Sequence, residues 1–120
     1  MKPRRHISHV SATRAKQMRT YRRDVRKFLR SNERCFACLE YVEEDSRQNH
    51  HFYGRVKSLL SWNPGWRMVC RKCHYLIHHN PGWARDHNFI CPRGMWNDLK
   101  RAQAHHASTL KQYDGDGDHY

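Results

Sequence analysis

Between Ser11 and Leu29 the apolar residues Ala15, Met18, Tyr21, Val25, Phe28 and Leu29 recur at steps of three and four. That spacing lines them up along one stripe of an α-helix running from about Ala12 to Leu29, with Ser11 placed to cap it. Arg14, Arg19, Arg22, Arg23, Arg26, Lys27 and Arg30 fill most of the remaining helix surface. The stripe is expected to dock on the rest of the domain and leave the cations outside. Residues 35–53, "CFACLEYVEEDSRQNHHFY", lose this period and carry β-branched and aromatic side chains, which predicts short strands. "GRVKSLLSWNPGW" reads as a loop with one helical turn at Val56, Leu59 and Leu60, and "RMV" as the second strand of a hairpin. "RKCHYLIHH" predicts a helix stopped by Asn80-Pro81-Gly82. The tetrapeptide "NPGW" stands at 63–66 and again at 80–83, and both copies are expected to mark turns. From about Pro92 to Tyr113 a further helix is predicted, with Met95, Trp96, Leu99, Ala102, His106, Leu110 and Tyr113 close to one face.

These elements make an α+β chain. They divide it into a basic arm and helix (1–32), a mixed core (33–80), a helical extension (81–113) and a tail (114–120) expected to be disordered. The tail "DGDGDHY" lacks the acidic ligand and flanking helices that a calcium loop needs.

Only 38% of the 120 residues are hydrophobic, and the mean hydropathy is −1.09. A core this poor in apolar surface usually needs a disulfide or a metal to hold it. No stretch is apolar enough to span a bilayer, and "MKPRRHISHV" lacks the apolar run of a secretory signal. The expectation is a cytoplasmic protein without a membrane partner, whose cysteines stay reduced and free to bind metal. The formal net charge is +12, and residues 1–34 hold 12 Lys and Arg against only Asp24 and Glu33. A charge concentrated on one element points to a polyanionic partner, with nucleic acid favoured over a membrane surface.

Cys35 and Cys38 form one CxxC pair, Cys70 and Cys73 another, with 31 residues between them. Each pair aims two thiolates at one point, and two pairs complete the closed four-sulfur tetrahedron of a structural zinc site. The bound Zn2+ would pin the start of the intervening segment to its end and contribute to folding. Cys91 stands apart and reads as a half-buried small hydrophobe.

With the sulfurs occupied, the histidines are left for other work. His74 and His78 are four apart on the predicted helix and project from one face. His50 and His51 are neighbours on the predicted first strand, so they point to opposite faces and have different jobs. One can join His74 and His78 on a metal while the other takes a proton from water. Three protein ligands with open positions form a catalytic arrangement.

His50-His51, then Asn63, then "VCRKCHYLIH" with its two metal-type histidines, resembles the HNH nuclease motif over roughly residues 33–80. The resemblance implies a ββα-metal core, stapled here by the four-cysteine zinc and flanked by the basic N-terminal helix and a C-terminal helix. It implies that His51 is the general base, that His50, His74 and His78 hold one catalytic divalent ion (Mg2+, Mn2+, Ni2+ or Zn2+), and that Asn63 ties the loop and orients the His51 ring. His79 is the substitute for His78, but it lies off the His74 face. The implied reaction is hydrolysis of DNA phosphodiester bonds. Arg55, four residues past His51, is placed to contact the scissile or adjacent phosphate, with Arg67 and Lys72 as lesser candidates. An imidazole with a pKa of about 6.5 can serve as base at neutral pH.

The expected function is therefore a metal-dependent HNH endonuclease acting on double-stranded DNA, with the basic helix on the backbone. Phosphate contacts carry no sequence information, so low or modest specificity is expected. Whether such a cut is a nick or a double-strand break depends on oligomeric state, which brings in a homodimer or a larger DNA-processing complex as partner. The chain resembles the small stand-alone HNH proteins of phages, restriction systems and mobile elements, so a bacterial host cell, with a phage as one source of the gene, is the expected setting. The alternative is a non-catalytic zinc-ribbon DNA-binding protein that uses its histidines only for packing.

Overall fold

The structure, a computed structural model, describes residues 11–117, with side chains described as far as Leu110. The expected basic arm at 1–10 and the tail residues 118–120 lie outside the described residues. The chain runs α1 (Ala12–Ser31), β1 (Gln48–His51), β2 (Trp66–Val69), α2 (Arg71–His79), α3 (Pro81–Asp86) and α4 (Leu99–Gly117). Short 3-10 turns fall at Glu44–Ser46, Lys57–Leu59 and Asn63–Gly65.

Helix α1 starts where its cap predicts. The Ser11 hydroxyl accepts the Arg14 N–H at 3.1 Å, satisfying one of the free donors of the first turn. All six stripe residues are half-buried and all seven flanking cations are exposed. Phe28 and Leu29 reach the main core, and Phe28 meets Trp66 of β2 edge-on at 5.5 Å between ring centroids. The far end of α1 is held by Arg47, which is only 8% exposed. Its Nη1 donates to the carbonyls of Leu29 (2.8 Å) and Arg30 (3.3 Å), and its Nε donates to that of Val42 (2.9 Å). One guanidinium thus satisfies carbonyls that the helix end leaves open.

Strands β1 and β2 pair antiparallel, with His50 opposite Arg67 and His51 opposite Trp66. The extended segment is shorter than the expected 35–53. The Cys35–Cys38 knuckle folds instead as a tight loop closed by a single bridge from Arg34 to Tyr41, and Leu39 turns it with φ of 67°.

Helix α2 ends at Asn80, whose N–H bonds to the Leu76 carbonyl at 2.9 Å. Contrary to the expectation of a plain turn, the second "NPGW" then opens α3. Pro81 sits in its first turn, where no N–H is needed. The first copy is a 3-10 turn.

Helix α4 begins at Leu99, later than the expected Pro92. Gly94 (φ 88°) and Asn97 (φ 61°) take left-handed backbone that no helix can contain, and the Asp98 carboxylate caps the Arg101 N–H at 3.0 Å. The helix continues past Tyr113 to Gly117, through part of the tail expected to be disordered. The Asn97 N–H bonds to the Tyr53 carbonyl at 2.9 Å and that of Cys91 to the Phe52 carbonyl at 3.1 Å, so this segment lies against the chain that leaves β1. Gly54 (φ +105°) is required there, because a Cβ would stand 2.9 Å from the Asn97 nitrogen. Trp96 is therefore not on the α4 stripe; it is 45% exposed.

Two apolar clusters result. One joins the cysteine knuckles to Val42, Met68, Val69 and Ile77; the other joins Phe52, Tyr53 and Leu59 to Ala102 of α4. Phe36 packs against both. Cys91 belongs to the second and is fully buried rather than half-buried. Among the described residues no helix is long and apolar enough to cross a membrane.

Replacing Arg47 with Met keeps much of its apolar stem and removes its hydrogen bonds to the Val42, Leu29 and Arg30 carbonyls, of which Leu29 keeps the Asn32 N–H. The expected cost is about 2–3 kcal/mol, the scale of a buried charged hydrogen bond lost on one side. Urea unfolding measures it, and an unchanged midpoint would refute the role given to Arg47.

Candidate metal centre

The Cys35, Cys38, Cys70 and Cys73 sulfurs all lie within 4.8 Å of one another. Their backbones are shaped for negative sulfur. Cys35 Sγ accepts N–H groups from Ala37 (3.4 Å), Cys38 (3.5 Å) and Cys70 (3.4 Å), and Cys70 Sγ caps α2 by accepting the Cys73 N–H at 3.4 Å. Burial raises the Cys35 pKa, but these N–H groups outweigh it and bring the thiol down to about 7. Burial and the neighbouring sulfurs push Cys73 up, so without a cation the four cannot all ionise together. A thiophilic divalent ion removes that conflict, and the set could hold a structural metal such as zinc.

His50, His74 and His78 form a second cluster, with ligand nitrogens again within 4.8 Å of one another. The Nε2 atoms of His74 and His78 are 3.1 Å apart, close to the roughly 3.3 Å between two nitrogens bound to one tetrahedral zinc at about 2.05 Å each. The outer nitrogens are tied down. His74 Nδ1 donates to Gln48 Oε1, 2.6 Å away, and His50 Nε2 donates to the Phe89 carbonyl at 2.8 Å. Each bond fixes a tautomer and leaves the inner nitrogen with a free lone pair, as a metal ligand requires. His50 is 1% exposed. Its burial, then the neighbouring imidazoles, drop its pKa to about 4 against the pull of the Phe89 carbonyl. His74 falls to about 4 through burial, His78 and Arg55. His79 turns away and stacks on Tyr75 at 4.1 Å between ring centroids, so it is no substitute for His78.

His51 faces other neighbours. Its Nε2 lies 3.1 Å from the Tyr21 hydroxyl of α1, and the two rings stack at 6.1 Å. Burial, then the Arg55 charge, brings its pKa to about 4, while the Leu60 carbonyl beside it pulls upward. That value lies below the ordinary imidazole range assumed from sequence. The Leu60 carbonyl also accepts the Trp66 indole N–H at 3.0 Å. Asn63 does not reach His51. It lines a hollow against α1 with Asp24, Lys27 and Trp66, and no hydrogen bond among the described residues joins its side chain to His51. The carbonyl beside the His51 ring belongs to Leu60.

Arg55 stands close to the histidines. It lines a hollow of about 70 Å3 together with Asn49, His50, His51, His74, His78 and Trp96. Arg67 does not join it. Its half-buried guanidinium donates to the Pro64 and Trp66 carbonyls at 2.8 Å each, and lies over the rings of Phe36 and Phe52. Lys72 is exposed on α2. On α1, Arg23 pairs with Asp24 at 3.4 Å, and the other cations named above are exposed.

Sequence reasoning missed Gln48, the carbonyls of Phe89 and Leu60, Asn49 and Trp96, and it read Tyr21 only as packing. Gln48 had a weak signal, since it stands two residues before His50 on the same strand face. The carbonyls depend on loop paths that no periodicity reports. Comparison with protein-family models, with curated proteins and with solved structures finds no match for this chain.

The depressed imidazole values have a direct consequence. A histidine whose folded pKa lies below 6.5 keeps its neutral, metal-binding form as the pH falls, and protonates only near the lower value. With the histidine cluster free of metal, NMR titration is expected to show His50, His51 and His74 still neutral at pH 5.5. Midpoints near 6.5 would contradict the burial described here.

Proposed function

We propose that the chain is a metal-dependent endonuclease of the HNH type, hydrolysing DNA phosphodiester bonds with low or modest sequence specificity. The observation that carries this is the convergence of three imidazole nitrogens on one point within 4.8 Å, with His51 and Arg55 lining the same hollow. A structural site would close its fourth position. Here the ligands open onto a cavity that also holds a buried imidazole and a guanidinium.

His50, His74 and His78 would hold a divalent ion, which would supply charge neutralisation on the phosphoryl oxygens. Zn2+, Mg2+, Mn2+ and Ni2+ are all compatible with imidazole ligands to differing degrees. The remaining work falls to the chain's own side chains. His51 presents Nε2 as proton acceptor and is neutral at pH 7, though a weak base at its depressed pKa. Arg55 is the phosphate contact. A phosphate paired with Arg55 offsets the charge that lowers the His51 pKa, so substrate binding strengthens the base. The attacking water enters at Nε2, where the Tyr21 hydroxyl now stands.

Tyr21 also sets the orientation of the basic helix to the site. Because α1 packs its half-buried face against β1 and β2, the cations Arg14, Arg19, Arg22, Arg26, Lys27 and Arg30 stay exposed, and a DNA backbone would meet them there. Among the described residues no element offers a helix of base-reading side chains, so phosphate contacts would dominate and specificity would stay low. A double-strand break would need a homodimer or a larger DNA-processing complex.

One observation favours the second reading, a non-catalytic zinc-ribbon DNA-binding protein: the base nitrogen of His51 is already hydrogen-bonded to Tyr21. Supercoiled plasmid incubated with the protein in Mg2+, Mn2+ or Ni2+ separates the two. The nuclease is expected to convert the plasmid, and His51→Ala to do so at least ~100-fold more slowly, the usual loss for a general base. Gel retardation without conversion in any ion would establish the binding protein instead.

A further inference from the structure

Beside the hollow at the histidine cluster lies a larger cavity of about 280 Å3, walled by Ile77, Pro81, Ile90, Arg85 and Trp96, with His50 and His78 on its metal side. The two cavities share His50, His78 and Trp96, so whatever sits in one borders the other. From this juxtaposition we infer that the larger cavity takes a single unpaired nucleobase of the strand whose phosphate lies at the histidine cluster. The inference rests on the proposed nuclease function and names its substrate class: DNA with an unpaired or extruded base next to the cut.

Three features select a base. The size is one: about 280 Å3 falls just below the range of roughly 300–1,000 Å3 usual for ligand pockets, which suits one planar group and excludes a bulkier segment. The walls are another. Ile77 and Ile90 are buried apolar side chains, and the Trp96 indole is 45% exposed with no aromatic partner among the described residues. An indole of this kind offers a stacking face that accepts any base. The third is Arg85, whose Nε is shielded from solvent without a hydrogen-bond partner among the described residues. A buried donor left open is costly unless something meets it, and a guanidinium can both donate to a base edge and stack on its face. Helix α3 carries Arg85 and begins at Pro81 directly after α2, so the turn that ends α2 also builds the pocket beside His78.

Inside a fully paired duplex the base must first be pulled from the stack, and a mismatch, bulge or gap removes most of that cost. The protein should therefore prefer such DNA over perfect duplex.

The test uses the full chain without added divalent ion, titrated into a short duplex carrying one unpaired 2-aminopurine and into its fully paired counterpart. The unpaired duplex is expected to bind roughly tenfold tighter, in line with one base stacked on an aromatic ring, and its fluorescence to be quenched on binding. Trp96→Ala and Arg85→Met should each lose the preference and the quenching, so that each variant binds the two duplexes with equal affinity. Both side chains lie outside full burial, and thermal melts confirm that the variants fold. Equal affinity for the two duplexes, or a preference that survives both substitutions, overturns the pocket. Plasmid cutting without any such preference leaves the nuclease standing and removes the pocket alone. A preference lost in both variants, in a protein that never cuts, keeps the pocket and removes the nuclease.

Discussion

The Cys35 sulfur accepts the N–H of Cys70 across the start of α2, joining segments 35 positions apart in the chain. Most of the architecture depends on that junction. A chain with so little apolar surface cannot recover the entropy of closing such a loop from burial alone. Four convergent thiols can, once a divalent cation compensates their mutual repulsion. The junction fixes where α2 begins and in which direction it leaves β2. Cys70 is at once a corner of the sulfur cluster and the N-cap of the helix that carries His74 and His78. Displacing the sulfurs would therefore displace the histidines.

The histidine cluster is built on a different principle. Burial keeps His50 and His74 neutral, and each of these two has its inner nitrogen freed by a bond on the outer one, from Gln48 for His74 and from the Phe89 carbonyl for His50. Burying polar rings in this way opposes folding unless their nitrogens find partners. The sulfur cluster could carry the fold, and the histidine cluster is the polar cost held within it. The proposed nuclease function assigns a purpose to that cost. Adjacent residues on one strand serve two faces: His50 turns to the ligand set and His51 to Tyr21 and Arg55.

What was legible in the sequence was local. Ser11 and the α1 stripe follow from helix geometry alone, the CxxC spacing from the reach of a tight turn, and the His74–His78 pairing from a four-residue step. The failures share one cause, tertiary loop paths. Asn63 stands in the right order along the chain, but the loop turns it toward α1 and brings the Leu60 carbonyl, anchored by Trp66, beside the His51 ring. Trp96 fits a helical period on paper, yet Gly94 and Asn97 take left-handed backbone that keeps it out of α4 and beside the site. The second "NPGW" carries the same letters as the first but opens a helix, because the residues after it continue as α3. No pattern in the sequence sets Arg47 apart; only the folded chain shows the carbonyls it bonds.

The central claim is that one small chain holds two chemically distinct metal sites. Native mass spectrometry of the protein equilibrated with zinc counts them directly, with His74→Ala measured alongside. Two ions on the wild type and one on the variant are the predicted result. One ion on both proteins would contradict it.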